Sequence, residues 1–216
     1  MLSHSTLDKY DTLGMYKVYD KWPEITSMSY DSNLERIEFE DINHIVFSGM
    51  GGSGSISDVF SAILSRTKTH VTITKGYHLP RTVDTNTLVI ATSISGNTKE
   101  TLTVLDSARR AKNKIIAFSS GGEMEKYCEK YDISHRNIPQ FHSPRASFTS
   151  FLYSILFVLG PVIPIKRSSI VESIIQLQKI RKKISSENLS FENPALELAT
   201  WIRSIPMIYY PQGLQA

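Results

Sequence analysis

Two short turns rich in glycine and hydroxyl side chains, Gly49-Met50-Gly51-Gly52-Ser53-Gly54 and Ser93-Ile94-Ser95-Gly96-Asn97-Thr98, each follow an apolar run and each open a helical pattern. A chain that repeats strand, turn and helix in this order is confined to a parallel sheet, because each strand must be regained by a crossover. The first run, Ile42 to Ser48, has the length and β-branched content of a buried strand. Beyond it Val59, Phe60, Ile63 and Leu64 recur at helical spacing, which predicts a helix starting at Ser53 or Gly54 and running to about residue 66. Further strands are expected at Val71 to Thr74, Thr87 to Thr92, Lys114 to Ser119 and Ile133 to Ile138, with helices near 98–111, 122–130 and 147–159. The fold class is therefore α/β, a parallel sheet with helices on both faces. Ligands of such folds sit beyond the carboxyl ends of the strands, where both turns fall.

The residues in those turns suit a phosphate held without a dedicated lysine. Glycine lets the backbone approach a ligand closely, and the unpaired N–H groups of a helix start favour an anion. Ser93, Ser95 and Thr98 add hydroxyl donors around the second helix entrance. A phosphate monoester carries about −1.5 to −2 charges, and each charge-assisted hydrogen bond to it contributes roughly 1.5–3 kcal/mol. Four or five such bonds give a gross ~6–15 kcal/mol, much of it offset by the ~4–15 kcal/mol cost of association. Modest affinity for an abundant phosphorylated metabolite is the expectation.

Two other readings compete. Asn97 followed three residues later by Glu100 matches a capping box, which would start a helix with no ligand. Gly49, Gly51 and Gly54 also satisfy the dinucleotide pattern G-x-G-x-x-G. That pattern requires an acidic residue about 20 positions on, at the end of the second strand. Val71 to Thr74 is followed instead by Lys75, Gly76 and Tyr77, so the dinucleotide reading fails, Lys75 leaving only a 2′-phosphate cofactor in play.

Gly51-Gly52-Ser53-Gly54 together with Ser93-x-Ser95-Gly96-Asn97-Thr98-x-Glu100-Thr101 resembles the sugar isomerase (SIS) domain. Within it the chain is most similar to archaeal-type bifunctional phosphoglucose/phosphomannose isomerases. Asp58, Ser119-Ser120-Gly121-Gly122 and Pro144-Arg145-Ala146 add to the likeness, which covers roughly residues 28–216; Ser57 departs from it, where glycine is usual. The resemblance implies a flavodoxin-like three-layer sandwich. It also implies that Gly52, Ser53, Ser93, Ser95 and Thr98 hold the phosphate of glucose, mannose or fructose 6-phosphate. Arg145 would be the catalytic cation that steadies an enediolate, with no metal and no cofactor. In the resembled isomerases the base glutamate and the ring-opening histidine and lysine lie in a second SIS domain, so none is assigned here. The alternative is a module that binds a phosphosugar without turning it over.

Composition sets outer limits. Among 216 residues, 41% are hydrophobic and 21% charged, the balance of a globular domain, and the net charge is only +3. The basic runs at Arg109-Arg110-Ala111-Lys112 and Lys179-Ile180-Arg181-Lys182-Lys183 have helical spacing and nearby carboxylates, so they read as solvated faces and not as a nucleic-acid surface. A lone Cys128 excludes an intrachain disulfide framework, and with no secretory pattern at the N terminus it points to the cytoplasm. The most apolar stretch, Phe148 to Ile165, is cut at Gly160-Pro161 into a helix of about 13 residues, roughly 20 Å against a ~30 Å hydrocarbon core, so no membrane span is expected.

The expected organisation is a helical lead-in over residues 1–41, an SIS domain over 42–165 and linker helices over 166–205, near Ser168 to Ser185 and Pro194 to Ile205. By the resemblance, residues 206–216 open a second SIS domain, so the chain is expected to be truncated. Its partners would be a second copy of itself or a complementing SIS half. Among other polar residues, Glu100, Glu123, His78 and His142 carry no paired chemistry, and His44 and His70 read as packing residues.

Overall fold

The computed structural model describes residues 2–190 and 192–202. Along the chain it contains helices α1 (His4–Tyr10), α2 (Met15–Asp20) and α3 (Trp22–Tyr30), then strand β1 (His44–Ser48), helix α4 (Gly51–Leu64), and strands β2 (His70–Thr74) and β3 (Thr87–Ser93). Helix α5 (Lys99–Arg110), strand β4 (Lys114–Ser119), helix α6 (Gly122–Tyr131) and strand β5 (Ser134–Asn137) follow, then helices α7 (Phe148–Val158), α8 (Arg167–Ile184) and α9 (Pro194–Trp201). The expected strand at Pro206 to Tyr210 lies outside the described residues.

Side-chain alternation at period two sorts the strand residues onto two faces. Ile45 and Phe47 of β1, Leu88 and Ile90 of β3, and Ile116 and Phe118 of β4 join Ile56, Phe60 and Leu64 of α4 and Phe151 and Ile155 of α7 in one core. Val46, Val89, Ala91, Ile115 and Ala117 point the other way, against Val104, Leu105 and Ala108 of α5 and Met124 and Cys128 of α6. β1 and β3 are buried along their whole length because both faces are covered. Cys128 is one of these packed residues, and burial pushes its thiol up to about 12, far from a reactive thiolate. α7 spans 11 residues, and no helix among the described residues is long and apolar enough to cross a membrane.

All strand pairs are parallel and the order is β2-β1-β3-β4-β5. After β1 the chain steps to one side to form β2, then crosses back to lay β3 on the other side. The order therefore reverses between β1 and β3, and the helices leaving these strands, α4 and α5, go to opposite faces. This opens a crevice at the carboxyl ends of the two strands, the usual ligand position of this topology. Ser48 pairs with Ala91, so β1 and β3 end nearly level there.

The lead-in is tied down. Lys21 separates α2 from α3, and Pro23 sits in the first turn of α3, where its missing N–H has no consequence. α3 lies along α7 through a Ser29 Oγ–Ser150 Oγ hydrogen bond of 3.1 Å and an edge contact of Tyr30 with Phe157. The arginines of the basic runs pair with carboxylates, as expected of solvated faces. Asp106 accepts from Arg109 at 3.0 Å and Arg110 at 2.7 Å, and Arg181 pairs with Glu187 at 2.8 Å.

His44 starts β1 at the opposite end of the sheet from the crevice. Its ring nitrogens reach Thr72 Oγ1 at 2.9 Å and Thr87 Oγ1 at 3.2 Å. Burial, then the neighbouring His70, holds its pKa below the ordinary 6.5, against a weaker pull from Asp84. On acidification the unfolded chain binds a proton that the folded chain resists, so this stability is complete above about pH 6.5 and falls as pH drops below it. His44→Gln should therefore lose less thermal midpoint than the parent between about pH 7 and pH 5. Parallel midpoint curves for the two proteins in a melting series would refute this.

Candidate functional site

The first turn leaves β1 at Ser48 and becomes helical at once. α4 begins at Gly51, two or three residues earlier than the sequence pattern predicts, with Met50 as an extended N-cap that makes no side-chain capping bond. The amides of Gly51, Gly52 and Ser53 thus fall in the first turn, where helical geometry gives them no partner, while Gly54 N–H already donates to Met50 O at 3.2 Å. A Cβ on Gly49 would lie 2.9 Å from the Ser53 carbonyl carbon, so only glycine lets the chain fold back this tightly. Ser53 is buried beneath the turn, and its Oγ accepts from Ile94 N–H at 3.4 Å. That contact joins the first turn to the second.

In the second turn Ser93 Oγ and Thr98 Oγ1 share a 2.8 Å hydrogen bond, and Thr98 N–H reaches Ser93 Oγ at 3.4 Å. Ser95 is exposed at the tip, its Oγ accepting from Asn97 N–H at 3.3 Å. The capping-box alternative does not survive. Thr98, not Asn97, is the N-cap of α5, and it makes no side-chain capping bond. The Asn97 side chain is used elsewhere, donating to Ser95 O at 3.1 Å and accepting from Glu123 N–H at 3.1 Å. The leading amides of α5 are therefore left uncapped by side chains, as in α4.

A third turn, at the end of β4, buttresses the second. Ser120 donates to Ile94 O through both its N–H at 3.0 Å and its hydroxyl at 2.6 Å, and Met124 N–H donates to Gly96 O at 2.9 Å. Gly96 has φ +71°, and a Cβ there would come 1.8 Å from Gly121 O, so two backbones meet face to face. Behind them Ser119 is fully buried; its hydroxyl donates to Gly121 O at 2.8 Å and lies 2.8 Å from His135 Nε2. Since the Ser119 hydrogen is committed to a carbonyl, His135 must donate from Nε2. Burial lowers the His135 pKa, with Glu125 and Glu129 opposing and Arg136 reinforcing that shift. The sequence reading passed over His135 because it lies in a short strand with no motif around it.

Arg145 lies on the loop that leads into α7. Pro144 O stands 4.0 Å from where a Cβ on Gly52 would be, which sets this loop against the first turn. The side chain of Arg145 is exposed and, among the described residues, pairs with no carboxylate. The other cation near the first turn is spent: Lys75 Nζ binds both carboxylate oxygens of Asp58, at 2.9 and 2.7 Å. Lys75 thereby loses its remaining claim to a cofactor 2′-phosphate. His142 and His78 are exposed, and His70 packs at a tilt against His44 away from the crevice. Ser48, at the end of β1, and Thr101, in the first turn of α5, are buried hydroxyls without a partner among the described residues. Thr101 closes the second motif of the sequence; Ser48 is marked only as the end of the first apolar run.

A doubly wound parallel sheet with two uncapped, hydroxyl-lined helix entrances at its switch point defines an α/β domain of the doubly wound class. Residues 38–159 match the SIS domain family, and the chain belongs to it. It is 35% identical over 92% of its length to a bifunctional phosphoglucose/phosphomannose isomerase of Caldicellulosiruptor bescii, covering 61% of that protein. A protein of the same name from Thermoplasma acidophilum is 34% identical over 77% of this chain and 49% of its own length. The chain thus spans about half to three-fifths of these curated relatives. Among solved structures, glucosamine-6-phosphate deaminase of Thermotoga maritima shares the fold with a TM-score of 0.57 at 17% identity, over 77% of this chain and 54% of that one.

The backbone contact at Gly96 yields a stability test. Gly96→Ala combines a left-handed backbone with a Cβ 1.8 Å from a carbonyl oxygen that cannot swing aside, and should cost at least about 1–3 kcal/mol in urea unfolding. Gly76→Ala, where a Cβ meets nothing within 4 Å, should stay within about 0.5 kcal/mol of the parent. Equal stability of the two variants would mean that the abutment of turns contributes nothing.

Proposed function

We propose that this chain binds a hexose 6-phosphate in the crevice between β1 and β3 and forms the phosphate-holding half of a bifunctional glucose-6-phosphate/mannose-6-phosphate isomerase. The observation that supports this reading is the Ser53 Oγ–Ile94 N–H contact, because it ties the first turn to the second. The phosphate would take the amides of Gly52 and Ser53 from α4 and the hydroxyls of Ser93, Ser95 and Thr98 at α5, with the positive ends of both helix dipoles behind it. Burying these neutral donors carries little desolvation penalty compared with burying a lysine.

Arg145 would serve the other end of the sugar. Aldose–ketose isomerisation moves a proton between neighbouring carbons and leaves negative charge on oxygen in the enediolate. A guanidinium keeps its charge at any working pH, and its planar fork suits two adjacent oxygens. We infer an SIS domain over residues 42–165, a lead-in over 1–41 and linker helices over 166–205, a division supported by the family match at 38–159. The base and ring-opening groups would come from a second SIS half, paired with this chain as a complementing partner or within a homodimer. The buried, unreactive Cys128 is compatible with a reducing cytoplasm.

Calorimetric titration with glucose 6-phosphate tests the pocket. Ser95→Ala combined with Thr98→Ala should weaken binding by roughly 1.5–3 kcal/mol for each charge-assisted bond lost. Unchanged affinity, with circular dichroism intact, would move the phosphate elsewhere. A coupled assay for fructose 6-phosphate then separates the enzyme from a binding module. Binding without turnover, even when a second SIS half is supplied, would favour the module.

A further inference from the structure

The lead-in helices reach the loop that carries Arg145. The indole Nε1–H of Trp22, the first residue of α3, donates to Ala146 O at 2.7 Å, one residue beyond the arginine. Met15, at the start of α2, meets Ser143 Oγ through its sulfur at 3.8 Å, two residues before it. From the core side Ser147, fully buried, accepts from Phe141 N–H at 2.8 Å, and its single hydroxyl hydrogen has Ser143 O at 2.9 Å and Phe141 O at 3.1 Å within reach. Inside this frame Ala146 is fully buried, while the Arg145 side chain is exposed. Trp22 is itself held, edge-on to Tyr19 at 4.8 Å and followed by the buried Pro23, on a helix fastened to α7.

We propose that Trp22 is a positioning residue for Arg145: its indole N–H, by gripping Ala146 O, sets where the guanidinium stands relative to the first turn. This rests on the reading of Arg145 as the cation of a sugar-phosphate site. Arginine has many rotamers, so an arginine can meet a small ligand reproducibly only if its backbone is fixed. Here the fixing comes from two elements about 120 residues apart in sequence, which accounts for a tryptophan in a segment otherwise without chemistry.

The test is a double-mutant cycle read by calorimetry on the full chain. Trp22→Phe keeps the ring against Tyr19 and removes the donor. It should weaken glucose 6-phosphate binding about three- to tenfold, while binding of inorganic phosphate, which the turns alone would grip, is unchanged. In the Arg145→Ala background the same change should have no further effect. An equal loss in both backgrounds, or an equal loss for inorganic phosphate, overturns the proposal. So does no loss at all. A parent chain that binds neither ligand overturns the proposed function and this inference with it, whereas normal parent binding with an additive cycle removes only the role of Trp22. A second measurement leaves Trp22 in place: in Trp201→Phe, Trp22 is the sole tryptophan, and its emission should shift with glucose 6-phosphate but not with inorganic phosphate. An emission that ignores the sugar phosphate also counts against it.

Discussion

The contact between Ser53 Oγ and the Ile94 amide is possible only because β1 and β3 lie side by side, and the proposed site depends on that adjacency. Two helices leaving neighbouring parallel strands on opposite faces must start near one another and then diverge. Their uncapped amides face a shared space with no lysine needed to make it attractive to an anion. Had the strand order placed β1 and β3 apart, the same two turns would each be an unremarkable helix start. The SIS family match, which runs across both turns and on through α7, follows the same boundaries as this geometry.

The third turn explains why the second can be so open. Each hydroxyl of the second turn has one hydrogen to give, and Ser93 and Thr98 already spend one of theirs on each other, so they can do little more to brace the turn. The scaffold is supplied from behind by Ser120, Met124 and the Gly96–Gly121 backbone abutment, itself braced by Ser119 and His135. Ser95 is thereby left exposed at the tip while the backbone beneath it is held by the neighbouring strand's turn.

How much of this was legible in the sequence depended on the range of the interaction. The strands of the sheet interior and the helices flanking them follow from periodicity, because burial on both faces forces runs such as Leu88-Val89-Ile90-Ala91. The start of α4 was misplaced because glycine has poor helix propensity, yet at Gly51 a φ of +54° is what lets the helix begin. The competing capping-box reading of Asn97 fails for a different reason. Its local pattern suits a cap, but its side chain finds the amide of Glu123, 26 residues away, and tertiary demand overrides a preference of about 1 kcal/mol. Trp22 and His135 were invisible because their partners, Ala146 and Ser119, are defined only once the chain is folded.

Under the proposed function, the disposition of charge around the crevice separates two tasks that a single lysine would merge. Lys75, whose Cε lies 3.2 Å from where a Cβ on Gly54 would be, is paired with Asp58, so it adds little net field at the proposed phosphate end. Arg145 keeps its charge unpaired among the described residues and sits on a loop pinned from both sides. A cation at the phosphate would stabilise bound substrate and bound transition state alike, which tightens binding without speeding the reaction. A cation set against the oxygens whose charge grows during enolisation contributes to binding of the sugar and stabilises the transition state more strongly still. On this argument the absence of a dedicated phosphate lysine is a consequence of where the positive charge is most useful, and the rigid placement of Arg145 matters more than the strength of the phosphate grip.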